Sequence, residues 1–114
     1  MNLTRGDPLN VKFPIIYANG ESVAKEDVAS IYVTFKKSPY LKEHILQKTI
    51  EQITVNKEGL YCFTIAPEET ETLSYGEYVF DIEVTLTNGY RKTKVGTLTL
   101  TEETTFHGGE EDGN

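Results

Sequence analysis

The dipeptide Asn88-Gly89 stands between two runs of β-forming residues, and no other local feature limits the fold of this chain so strongly. Before it, Tyr78, Phe80, Ile82, Val84 and Leu86 recur at period two, which places them on one side of an extended strand. After it come Lys92-Thr93-Lys94-Val95 and Thr97 to Leu100. Asn-Gly is a preferred pair for a two-residue type I′ reversal, because both central residues need positive φ. The expectation is an antiparallel hairpin closed by Thr87 and Tyr90, with Ile82 opposite Val95, Val84 opposite Thr93 and Glu83 opposite Lys94. In that register Val95 points inward while Leu98 and Leu100 have the wrong parity. One extra residue near Gly96 restores the alternation, so a β-bulge is expected there.

The rest of the chain reads in the same way. Leu9, Val11, Phe13, Ile15 and Tyr17 also recur at period two, and Pro14 inside the run calls for a sheet edge or for a residue 14 amide position that faces away from a neighbour. Ile31, Val33 and Phe35 mark a second strand, and residues 44–55 form a less regular extended stretch. "NKEG", with Gly59, is a hairpin loop into "LYCFTI", where Tyr61, Phe63 and Ile65 point inward and Cys62 outward. Pro67, Glu68 and Glu69 suit the first turn of a short helix, and Leu73 pins that crossing to the core. Short strands, close turns and no long helix predict an all-β protein: an antiparallel immunoglobulin-like β-sandwich of about seven strands over residues 1–106. A small closed barrel is the alternative. Residues 107–114, "HGGEEDGN", have no apolar content and read as a flexible acidic tail.

The net charge of −7 is concentrated at that end of the chain. Glu102, Glu103, Glu110, Glu111 and Asp112 lie beyond residue 101 with no Lys or Arg among them. No basic stripe exists, which argues against nucleic acid as a partner. The N-terminal residues lack a signal-peptide pattern and no apolar run is long enough for a membrane helix, so synthesis in the cytoplasm and no membrane partner are expected. Cys62 is the single cysteine, which excludes an internal disulfide and a thiolate metal cluster.

Few residues invite a chemical reading. Asp81 and Glu83 share one strand face about 7 Å apart, within the roughly 5 to 9 Å that paired glycosidase carboxylates require. Lys94 opposite Glu83 turns them into ordinary cross-strand charges on a wet face. His44 and His107 are far apart, no zinc, EF-hand, G-x-S-x-G or phosphate-loop pattern occurs, and neither a cofactor nor an enzymatic activity is expected. Tyr32, Tyr40 and Tyr90, on outward positions or loops, are the candidate interface residues, suited to a protein partner or to stacking on sugars.

Taken together, "LTRGDPLNVKF", "IYVTFKKS", "LQKTI", "GLYCFTIAPEETETLSYGEYVFDIEV" and "GTLTLTEETTF" resemble small immunoglobulin-like domains of phages and prophages of Gram-positive bacteria. The nearest kind is the N-terminal domain of baseplate upper proteins and related tail or head accessory proteins. The likeness spans residues 3–106 and is densest from Thr64 to Val84. It implies a non-enzymatic virion structural or accessory protein, located in the virion, without a cofactor. Its partners would be other virion proteins and further copies of itself. It transfers no functional residue, since the matched positions build the sandwich. A small carbohydrate- or cell-surface-binding module is the second reading.

Overall fold

The computed structural model describes residues 1–102. Eight strands follow in chain order: β1 (Asn2–Thr4), β2 (Leu9–Phe13), β3 (Val28–Lys36), β4 (Leu46–Thr49), β5 (Thr54–Val55), β6 (Tyr61–Ile65), β7 (Gly76–Leu86) and β8 (Arg91–Thr101). They form a five-stranded sheet in the order β1-β8-β7-β3-β4 and a three-stranded sheet in the order β2-β6-β5. This is an all-β sandwich of immunoglobulin-like topology, in which β7 lies between β3 and β8 while β6 lies between β2 and β5. The pairing is antiparallel except at one place: β1 runs parallel to β8, with Leu3 opposite Leu100. That short strand precedes the first apolar run, and its single buried residue, Leu3, gave no periodicity to find.

The core lies where the two sheets face each other. Ile31, Val33 and Phe35 of β3 meet Val84, Ile82 and Phe80 of β7 across the ladder, while Tyr61, Phe63 and Ile65 of β6 supply the opposite wall. Tyr61 is fully buried, and its hydroxyl donates to the Val23 carbonyl at 2.6 Å, so the polar end is satisfied. The β2 run is an edge strand ending at Phe13, one residue before Pro14, so the missing proline amide breaks no ladder bond. Asn56–Gly59 is a tight loop between β5 and β6, with Gly59 at φ +82°.

The crossing between the sheets is fixed at both ends. A single 3₁₀ turn, Pro67–Glu69, starts with proline, and the Glu69 carboxylate reaches back to the Ala66 N–H at 2.8 Å. At the start of β7, the Tyr78 hydroxyl donates to the Ser74 carbonyl at 2.6 Å. A tyrosine at this place bonding a few residues upstream is the tyrosine corner of immunoglobulin-like sandwiches. Tyr78→Phe removes that bond and leaves the carbonyl without this partner; it is expected to lower stability by about 1 kcal/mol in urea unfolding, without loss of fold.

The β7–β8 hairpin departs from the sequence expectation. No residue other than glycine among those described has positive φ, so Asn88-Gly89 is not a type I′ turn; of the two, only Gly89 has positive φ, at +90°. The Gly89 N–H donates to Leu86 O, and the Leu86 N–H to Tyr90 O. The loop thus has three residues, 87 to 89, closed by Leu86 and Tyr90, with a type I turn followed by a left-handed glycine. Asn88 still contributes, its Oδ1 accepting from the Tyr90 N–H at 2.9 Å. The extra residue moves every pair by one: Ile82 faces Lys94, Glu83 faces Thr93, Val84 faces Lys92 and Asp81 faces Val95. The expected bulge near Gly96 is absent, because the residue it was to supply is already in the loop. From Gly76↔Leu100 to Thr85↔Arg91 the ladder is regular. The register shift that does occur lies in β3, between Val28 and Ser30.

Candidate functional site

The corrected register decides which side chains of β8 face the interior. Leu98 and Leu100 share parity with Gly96, Lys94, Lys92 and Tyr90, and this set lies on the side of Tyr78, Ile82 and Val84. Val95 belongs to the other face, where it is 76% exposed. The small sheet does not extend far enough to cover the inner side of β8 near the hairpin. A cleft of about 180 Å³ remains, walled by Phe13, Ile15 and Ile16 on one side and by Ile82, Val84 and Leu86 on the other. Tyr90, Lys92 and Lys94 form its rim.

The backbone beside this cleft is also uncovered. β1 pairs with β8 only at Thr99 to Thr101, extended by the Met1 amine donating to Thr97 O at 2.9 Å. The Leu86–Tyr90 bond sets the alternation of the β7–β8 ladder, so Lys92, Lys94 and Gly96 direct their amides toward β7. Thr93 and Val95 direct theirs to the other side, the side on which Thr99 N–H donates to Met1 O. Residues 91–96 therefore form an open strand edge, flanked by Arg91, Lys92 and Lys94. The expected place of Lys94 opposite Glu83 on the solvent face is thus corrected: it lies at the cleft with Lys92. The parity of Leu98 and Leu100 is the sequence signal for this register, and it reports the longer loop rather than a bulge.

Asp81 and Glu83 share one face, as expected, and it is the outer face of the five-stranded sheet. Asp81 lies between Thr34 and Val95, and Glu83 between Tyr32 and Thr93. The expected Glu83–Lys94 pairing does not occur, since Lys94 is on the opposite face; the cation near Glu83 is Arg91, at 4.0 Å and well exposed. An exposed pair at that distance contributes at most a few tenths of a kcal/mol. The double change Asp81→Asn/Glu83→Gln is expected to leave the unfolding midpoint within about 0.5 kcal/mol of the parent.

The three tyrosines do not form one surface. Tyr32 is on the outer face of β3, Tyr40 projects from the β3–β4 loop at 92% exposure, and Tyr90 turns to the cleft rim on the inner side. Tyr90 closes the hairpin loop and is well exposed, within the expectation of outward positions or loops, although its side chain lies on the cleft side. Cys62 faces away from the core on β6, as expected, with partial exposure. His107 and the acidic tail lie outside the described residues. Among the described residues no three His, Cys, Asp or Glu side chains gather as metal ligands, and no helix is long and apolar enough to cross a membrane.

One charged pair is built into the frame. Lys48 on β4 is almost wholly buried, and its Nζ lies 2.8 Å from both carboxylate oxygens of Glu69. Partial burial pushes the Glu69 carboxyl upward, but the Lys48 ammonium and the Ala66 N–H outweigh it and hold the pKa below its ordinary value. The pair ties the outer strand of the large sheet to the crossing that leaves the small one.

Comparison with known proteins gives little beyond shape. No family model matches the chain, and no curated protein does. Among solved structures it is similar to CopC from Methylosinus trichosporium OB3b, with 12% identity and a TM-score of 0.49, over 93% of this chain and 87% of that one. At this identity and overlap the likeness assigns neither a family nor a chemistry to the chain.

Proposed function

We propose that the protein is a non-enzymatic structural or accessory component of a phage or prophage virion, acting through protein–protein contacts at its uncovered sheet edges. The observation that carries the contact reading is the open edge of β8 at residues 91–96 beside an apolar cleft. Such an edge offers main-chain donors and acceptors in strand spacing, and a cleft beneath it takes alternate side chains of an added strand. The virion assignment draws support from the resemblance of Thr64–Val84 and the flanking segments to phage immunoglobulin-like domains. A carbohydrate-binding module is less well supported, because stacking on a sugar calls for aromatic rings on a shared surface and Tyr32, Tyr40 and Tyr90 lie on separate ones.

The test is direct. Phage production is induced in the strain that encodes the chain, particles are purified by density gradient, and their proteins are quantified by mass spectrometry. The protein is expected in fixed stoichiometry to the major virion proteins. Recovery only from the cytosolic fraction would contradict the proposal.

A further inference from the structure

We infer that the open edge of β8 and the cleft beneath it receive the acidic C-terminal segment, residues 102–114, of a second copy of this chain. The inference rests on the reading of the protein as one that works by protein contacts, and it names the occupant. Three observations converge on it. The edge residues Thr93 and Val95 direct N–H and C=O groups away from β7, and among the described residues no strand pairs with them there. The flanking side chains Arg91, Lys92 and Lys94 are cationic in a chain whose net charge is −7, and among the described residues only Arg91 has a carboxylate within 4.0 Å. The cleft is apolar, walled by Phe13, Ile15, Ile82 and Val84.

Inward lysines on an edge strand commonly serve to block edge-to-edge pairing. Here they do so selectively: two β8 edges carrying Lys92 and Lys94 repel each other, whereas an acidic strand is attracted. Residues 102–114 have the matching composition, with Glu102, Glu103, Glu110, Glu111 and Asp112 and no basic residue but His107. Phe106 is their only large apolar side chain, and the cleft of about 180 Å³ suits one such anchor. Within one chain the β8 edge is already taken next to Thr101 by β1, the Thr101 carbonyl accepting from the Arg5 N–H at 3.0 Å. A second copy meets no such obstacle, and the contact is head-to-tail.

Sedimentation equilibrium on the full chain reads this out. Mass is expected to rise with concentration above the 12.8 kDa monomer and to fall back in high salt. Lys92→Glu/Lys94→Glu, or Glu110→Lys/Glu111→Lys/Asp112→Lys, should each weaken association at least tenfold, while an equimolar mixture of the two variants associates again. Phe106→Ser should weaken it comparably with the fold intact by circular dichroism. A monomer at every concentration up to about 1 mM, association indifferent to the charge reversals, or a mixture that stays monomeric would overturn the inference. None of those results bears on whether the protein is present in particles, which tests the broader reading separately.

Discussion

Gly96→Val is expected to destabilise the protein by about 3 kcal/mol, the upper part of the range for overpacking. Gly96 sits opposite Phe80 in the ladder, and a Cβ built there would lie 2.7 Å from Cζ and 2.8 Å from Cε1 of that ring. Phe35, fully buried, packs against the ring with centroids 5.3 Å apart and limits its retreat in that direction. Valine adds two further methyl groups to the clash. Phe80→Ala alone should cost less than the usual large-to-small core change, because Phe80 is only partly buried. In its background the valine should be tolerated, with a coupling of at least about 1 kcal/mol in the double-mutant cycle from urea unfolding. A glycine replaced without cost would mean that the ring does not lie over this position.

Lys48→Met is expected to cost about 2 kcal/mol at pH 7, less than a fully buried pair because the Glu69 side chain keeps 28% exposure. The variant leaves the carboxylate without its ammonium partner while keeping most of the packing volume. The pH dependence separates this from simple loss of packing. The folded-state pKa of Glu69 is lowered, so its contribution is fully present above the unfolded value of about 4.5 and is lost as pH falls through the folded value. In the variant only the Ala66 N–H still opposes burial, so the Glu69 carboxyl is held down less than in the parent and protonation costs the variant less. The gap between parent and variant should therefore shrink below about pH 4, read from denaturant midpoints at each pH. A gap that stays constant from pH 7 to pH 3 would assign the loss to packing.

The sequence was most informative where burial is continuous. Ile31, Val33 and Phe35, then Tyr61, Phe63 and Ile65, each placed a strand and its inner face correctly, because a strand with one buried face has a single acceptable parity. Pro67 and Glu69 marked the crossing turn for local reasons that hold without tertiary context. β8 was different. Between Arg91 and Gly96 its inner face is not covered by the small sheet, so lysines occupy positions that a closed sandwich would fill with apolar residues, and the hydrophobic pattern that fixes parity is missing. The choice between a two- and a three-residue loop at Asn88-Gly89 then had to be made on turn chemistry alone, which permits both. β1 was illegible for a related reason, since a three-residue strand with one buried side chain has no period. The Lys48–Glu69 pair went unseen because its members are 21 residues apart and meet only once the sheets are stacked.

The same weakness of pattern is what gives the region its interest. A register one residue away would put Val95 inside, carry Lys92 and Lys94 to the solvent face and close the apolar cleft's charged rim, leaving nothing to receive an acidic strand. Cross-strand Hα–Hα nuclear Overhauser effects between β7 and β8 decide the matter. In the register described, the narrow pairs are Glu83 with Thr93 and Asp81 with Val95, and strong effects are expected for both. Effects joining Ile82 to Val95 and Val84 to Thr93 in their place would contradict it.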